Sequence, residues 1–337
     1  MLHILSYEHF LCSTNLSLVM ASLSTRPRVV VVMGPTGVGK TTLINHLAER
    51  ENLGVSDDIQ RGTTELQLVA FTEPDYGQTV HLIDTPGFDD PTQPDIDILE
   101  EIANYLAGTY NTGVQLDTIL YLHKINEFRM TQSLLKNLKL FVSLCGTQAM
   151  PGVVIVTTMW NEVVNKKAAE QREEELKNRV WYDMIANGCS VKRFEMTRDS
   201  ALNILRHGPR LLEGTLLSSE MVEERKSLQS TAAGHELAND MRNIVEQQKA
   251  KIRRLQERAK AAKTGEEKKI LEGEIEEGKR KLEKIKEGQA RLKPNFLERL
   301  FGSKPVANLV PQVELKLKEV PIEARPTSTP AATQDGG

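Results

Sequence analysis

The passage that most constrains this chain is RVVVVMGPTGVGKTT, residues 28–42, where an apolar run gives way to glycines and then to a helix-forming stretch. Residues 28–33 read as a strand buried on both faces, since an unbroken β-branched run has no polar side to turn to water. Gly34, Pro35, Thr36, Gly37, Val38, Gly39, Lys40 and Thr41 then fit the pattern G-x-x-x-x-G-K-[ST] of a P-loop. A match arises by chance in about one chain per hundred of this length. The helix expected over residues 40–50 has Leu43 and Leu47 one turn apart. Strand before and helix after are the context the chemistry demands. Glycines let the backbone curl so that its N–H groups converge on a phosphate, and the helix start adds its positive dipole end. The sequence thus predicts a nucleotide phosphate cradle from Gly34 through Thr42. Lys40 would bridge the β- and γ-phosphate oxygens as the catalytic cation, and the Thr41 hydroxyl would bind Mg²⁺.

A second motif narrows the class. Residues 66–71 and 79–84 alternate toward a core and are separated by a turn with Pro74 and Gly77, a hairpin signature. Its second strand delivers Asp84-Thr85-Pro86-Gly87. An aspartate leaving a buried strand beside a P-loop can hold Mg²⁺, directly or through water, and Gly87 offers a backbone N–H to the γ-phosphate. That contact lasts only as long as the phosphate, so residues 85–94 read as a switch. Between the motifs lies Arg61-Gly62-Thr63-Thr64-Glu65. Thr63, ahead of Thr64, is expected to complete the metal set of Thr41, Thr63 and Asp84 and to sense the γ-phosphate; the alternative is that both threonines cap the next strand.

The remaining periodicities predict helices over 95–107, 131–145, 166–186 and 199–205, and strands over 118–122, 153–157 and 191–194. Alternating strands and helices specify an α/β fold, a mostly parallel sheet with one antiparallel hairpin strand and helices on both faces, spanning residues 25–212. At 337 residues the chain has room for about one domain more. Aromatics at 5% argue against a large all-β sandwich, and 43 basic against 46 acidic residues leave no basic footprint, so nucleic acid is not an expected partner. Three scattered cysteines suit a reducing, cytoplasmic setting, and no run of about 18–20 apolar residues marks a transmembrane segment. Met20 opens an ordinary-looking start, so residues 1–24 are expected to be a disordered leader or a gene-model extension. Residues 213–293 are rich in Glu, Lys, Arg, Gln, Leu and Ala. Leu271, Ile275, Leu282, Ile285 and Leu292 make one apolar seam, and Leu237, Met241, Ile244 and Leu255 a looser one. They imply a helical extension, either a solvated helix packed on its own domain or a dimerising coiled coil, built as one long helix or as two joined near 263–265, where Thr264 and Glu267 form a capping box. Residues 294–337 are expected to be disordered.

On GPTGVGKT, DTPGFDD, TILYLHKI, FRM and VVIVTTMW, residues 28–207 resemble the translation-factor class of P-loop GTPases, and within it fungal G-domain proteins related to septins and immunity-associated GTPases. The resemblance implies a Mg²⁺-dependent GTP/GDP switch with slow hydrolysis that often self-associates, as a homodimer through the G domain or the coiled coil. Two departures stand out. Where [NT]-K-x-D would read guanine, the chain has Thr157-Thr158-Met159-Trp160, lacking the aspartate. Trp160 can stack on a base or merely pack, and Asn161 or Glu162 can supply an acceptor. No glutamine follows Gly87 to orient water, so a cation or positioning group would come from a partner, a second subunit or Arg129. Two alternatives stay open, an ATP-using P-loop ATPase and a nucleotide-binding scaffold with negligible turnover. His123 and Cys145 read as core.

Overall fold

The computed structural model describes residues 26–49, 65–90, 93–127, 129–206, 208, 211 and 214–291. The expectations for Thr63, for Thr64, for the leader and for the tail lie outside them. Six strands form one sheet: β1 (Arg28–Met33), β2 (Gln67–Thr72), β3 (Thr79–Asp84), β4 (Thr118–Lys124), β5 (Val153–Thr158) and β6 (Ser190–Arg193), in the order β2-β3-β1-β4-β5-β6. Only the β2–β3 hairpin pair is antiparallel, so the fold class is the expected P-loop G domain.

Alternation along β1 divides the core. Val30 and Val32 face α1 (Lys40–Ala48) and α6 (Arg198–Arg206), where Leu43, Ile44, Leu47, Leu202 and Leu205 close over them. Val29, Val31 and Met33 face α2 (Asp95–Asn111) and α3 (Gln132–Cys145) on the other side, with Leu99, Ile102, Phe141 and Leu144. Thr131 caps α3 by accepting from the Leu134 N–H at 3.2 Å, and Gly146 ends it. Cys145 is fully buried on its apolar stripe.

The single helix expected over 166–186 is broken. It runs as α4 (Lys166–Glu175), a π-helical turn over Leu176–Val180 and α5 (Tyr182–Ala186). The extra residue per turn shifts the helical phase, and the fully buried Trp181 follows it, meeting the His123 ring edge-on at 5.3 Å. Burial, with Lys124 and Arg172 nearby, pulls the His123 pKa down to about 4, which suits a packed neutral ring.

Past α7 (Leu216–Val222), the chain forms two helices, α8 (Ala232–Ala261) and α9 (Gly265–Arg291), with the break near 263–265. The Thr264 hydroxyl accepts from the Glu267 N–H at 3.2 Å. The seam residues Leu271, Ile275 and Leu282 are buried against Val245, Ile252 and Leu255 of the same chain. Val245 takes the inward place expected of Ile244, which is half-buried. Among the described residues no helix is long and apolar enough to cross a membrane.

Candidate functional site

The strand order brings the two motifs side by side. β1 and β3 are parallel neighbours with Val32 opposite Asp84, so the P-loop and the Asp84–Gly87 segment leave the same edge of the sheet. Gly34, Gly37 and Gly39 all adopt positive φ (142°, 74° and 91°), the curl required to turn amides inward. Val38 is buried in the core and anchors the loop from beneath. Pro35, Thr36 and Gly37 form its outer arc, and Thr41 and Thr42 begin α1 with Lys40.

Lys40 is buried, its ammonium donating to the Gly34 and Pro35 carbonyls at 3.1 and 3.0 Å. Burial pulls its pKa from 10.5 down to about 8, against the Asp84 and Asp90 carboxylates, which favour the charge. The Thr41 hydroxyl donates to Asp84 Oδ2 at 2.7 Å, and Asp84 ends a strand whose last three residues are buried. Thr85 follows, its hydroxyl tied to the Val32 carbonyl at 2.8 Å. A hydroxyl and a carboxylate so placed are the hard oxygen donors Mg²⁺ takes, with phosphate and water as its usual remaining ligands. Among the described residues there is no cluster of three His, Cys, Asp or Glu placed to hold a metal.

Gly87 lies directly on the P-loop. Its carbonyl accepts from the Thr36 hydroxyl at 3.1 Å, and the next carbonyl, of Phe88, accepts from the Thr36 N–H at 3.2 Å. A Cβ on Gly87 would sit 2.5 Å from the Thr36 nitrogen, so only glycine permits this approach. The acidic pair after it is absorbed by the fold. Asp90 is buried and accepts from the Thr36 hydroxyl at 3.4 Å. Asp89 accepts from the Ser133 hydroxyl and from the Asn137 amide, the latter at 2.7 Å. Arg129 shares a cleft of about 510 Å³ with Pro35, Thr36 and Asp89.

The base-side segment is built differently. The Thr158 hydroxyl donates to the Val38 carbonyl at 2.9 Å and ties the end of β5 to the P-loop. Met159, at φ 61°, turns beside Gly39. Trp160 is locked: its Nε1 donates to the Thr157 hydroxyl at 3.0 Å, and the Arg193 guanidinium stands 4.2 Å from its ring centroid. Arg193 is held by Glu173 at 2.6 Å, and the Thr157 hydroxyl also donates to Glu173 at 3.0 Å. Burial alone would raise the Glu173 carboxyl, but Arg193 and Lys177 outweigh it and hold it below the usual carboxylate range. Thr158 is thus the threonine of this segment whose side chain reaches the P-loop, and Asn161, three residues on, is exposed.

Sequence reasoning missed Ser133 and Asn137 as holders of the Asp89 turn, and Glu173 with Arg193 as the clamp on Trp160. Asn137 alone left a trace: it is a polar residue on the buried stripe of α3.

Comparison with known proteins places these motifs in context. The family model for RsgA GTPase matches residues 3–93, which span the P-loop and Asp84–Gly87. The chain is 40% identical over 73 residues to the small ribosomal subunit biogenesis GTPase RsgA of Thermosynechococcus vestitus, covering 20% of this chain and 20% of that protein. It is 40% identical over 76 residues to RsgA of Carboxydothermus hydrogenoformans, covering 22% and 26%. The chain thus spans about a fifth to a quarter of the length of these curated relatives. Among solved structures, Toc33 from Arabidopsis thaliana in complex with Mg²⁺ and GMPPNP superposes with a TM-score of 0.44 at 17% identity, over 57% of this chain and 90% of that one. Era in complex with MgGDPNP and a segment of 16S ribosomal RNA gives 0.40 at 18%, over 56% and 59%.

Proposed function

We propose that this chain is a guanine-nucleotide switch that binds GTP and GDP with Mg²⁺ and hydrolyses GTP slowly. The observation that carries the reading is the meeting of Lys40, Thr41 and Asp84 at one edge of the sheet, with the Thr41 hydroxyl 2.7 Å from Asp84. In this reading the P-loop amides and the Lys40 ammonium hold the phosphates, and Thr41 and Asp84 hold Mg²⁺, which supplies charge neutralisation at the β- and γ-oxygens. Gly87 senses the γ-phosphate through its N–H. Thr63 completes the metal set.

Slow turnover follows from what surrounds the reacting end. Phe88 stands where a water-orienting side chain would, and it is buried. Asp89 and Asp90 are engaged within the protein. Arg129 lines the cleft beside Pro35, Thr36 and Asp89; an arginine that reaches the transferred phosphate can raise turnover by ~10³–10⁵. Guanine is favoured over adenine because the Asn161 carboxamide oxygen can accept from the guanine N1–H, whereas adenine offers no proton there. An amide accepts fewer of guanine's two donors than a carboxylate, so discrimination should be weaker than with aspartate. The reading includes self-association, as the septin resemblance implies.

Titration of the purified full chain with fluorescent GTP, GDP and ATP at fixed Mg²⁺ tests this reading. GTP and GDP should bind at least several-fold more tightly than ATP; equal or tighter ATP binding overturns the guanine assignment. Single-turnover GTP hydrolysis across a range of protein concentrations then separates a slow enzyme from a scaffold, and a rate that climbs with concentration marks catalysis across a dimer.

A further inference from the structure

The helical hairpin is rooted on both sides of the segment that follows Gly87. Asp89, at φ 64°, is held from α3 by Ser133 and Asn137, and its N–H donates to Asp95 Oδ1 at 2.9 Å on the first residue of α2. Both of these helices also carry the hairpin. α8 lies along α3: Leu237 and Met241 enter the same core, and Asp240 lines a groove with Gln132, Lys136 and Lys139. α9 returns onto α2: Arg291 pairs with Asp97 and with Glu100, the latter at 2.5 Å. Gly288 lets α9 come close at that point, since a Cβ there would lie 2.7 Å from the Met241 methyl and 3.7 Å from Ile96.

Beyond these roots the apolar cluster between the helices is built from the hairpin alone. α8 has 30 residues, a length of ~45 Å. Glu246 and Gln247 mark the far end of the groove that α8 shares with α3. The remaining stretch to Ala261 projects by roughly 20 Å. A rigid arm of that length turns a tilt of ~10° at its root into a tip movement of roughly 4 Å.

We propose that this hairpin is a lever whose orientation follows the nucleotide held in the P-loop, and whose roots in turn bias which nucleotide is held. The link is the Thr36 N–H, which donates to the Phe88 carbonyl. A γ-phosphate that takes this donor displaces Phe88, and with it the Asp89 turn that is pinned to α2 and α3. Burial raises the Asp95 and Asp240 carboxyls, while the Asp89 N–H favours the charged Asp95 and the Asp89 carboxylate repels both, so the switch and the lever root share a charged neighbourhood as well as packing. Linkage makes the effect reciprocal.

The proposal rests on the nucleotide reading above, and its test separates the two. Spin labels on Glu266→Cys at the tip and Asn178→Cys on the G domain, in a full-length Cys12→Ser background, report the lever by pulsed dipolar spectroscopy; Cys145 and Cys189 are buried. With Mg²⁺, a non-hydrolysable GTP analogue and GDP should give distance distributions several ångströms apart. Arg291→Glu, which reverses the charge facing Asp97 and Glu100, should change the ratio of triphosphate to diphosphate affinity about fivefold or more, while Lys260→Glu on the distal arm should leave it unchanged. Identical distributions with both nucleotides demonstrably bound overturn the lever and leave the nucleotide reading intact. If neither nucleotide binds the unlabelled protein, both fall.

Discussion

The two ends of the candidate site are held by different means. At the phosphate end the local sequence does nearly everything: glycines set the curl, Lys40 and Thr41 open α1, and β3 delivers Asp84 beside them. At the base end a hydrogen-bonded network drawn from distant segments does the work, with Glu173 on α4 and Arg193 on β6 fixing Trp160. The first kind of site shows in two short motifs, because the loop residues act through their own backbone and a neighbouring parallel strand brings Asp84, 43 residues from Thr41, beside them. The second does not, because its geometry depends on side-chain pairs that belong to no motif, 16 and 20 residues apart.

If that contrast is right, single changes at the phosphate end should cost far more than changes at the base end. Lys40→Ala should lower triphosphate affinity by a hundredfold or more in equilibrium titration, since it removes the ammonium held at the loop carbonyls; affinity within a fewfold of the parent would refute the site. Gly87→Ala comes next. Its new methyl would meet the P-loop at Thr36 and keep the Gly87 N–H from closing on a γ-phosphate, so the protein should favour diphosphate over triphosphate by about tenfold, as seen in paired titrations. A loss equal for both nucleotides would show that Gly87 matters only for folding.

The pH dependence of binding gives a milder effect. The Lys40 pKa lies near 8, lowered by burial, and the phosphates bind its charged form. Triphosphate affinity should therefore hold steady below pH 8 and fall by up to tenfold per unit above it, with proton uptake on binding in that range. Lys40→Arg should remove this fall, whatever its effect on affinity. A flat profile through pH 9 in the parent protein would mean that the ammonium is not what the phosphates require.

At the base end, Asn161→Asp should sharpen guanine over adenine by roughly five- to tenfold, because the carboxylate accepts from both N1–H and N2–H₂. It should leave the Mg²⁺ dependence alone. No gain in guanine preference would place the base elsewhere, and the comparison between the two ends would lose one of its terms.

The same contrast explains what could be read from the sequence. The sheet and its hairpin follow from runs such as RVVVVM and VVIVT, whose apolar content leaves few alternatives to burial, but the strand order does not, since such runs carry no record of their neighbours. The register of Asp84 beside Thr41 follows from β1 and β3 being neighbours. The π-helical turn after Glu175 was not legible, because residues 166–180 are mostly charged and only the burial of Trp181 decides where the helical phase must shift. The hairpin seam was legible, but not that it closes within one chain: heptad-like spacing reports an apolar stripe and not which stripe covers it. Which of Thr157 and Thr158 faces the P-loop was hidden for a similar reason, since the two are chemically identical and only their partners, Glu173 and Val38, tell them apart.

Magnesium dependence of triphosphate affinity, compared between the parent protein and Asp84→Ala, tests the central arrangement most directly. With Thr41 and Asp84 holding the ion, Mg²⁺ should tighten binding to the parent by at least tenfold and have little effect on the variant. Equal enhancement in both proteins, or none in the parent, would contradict the assignment of the Thr41–Asp84 pair.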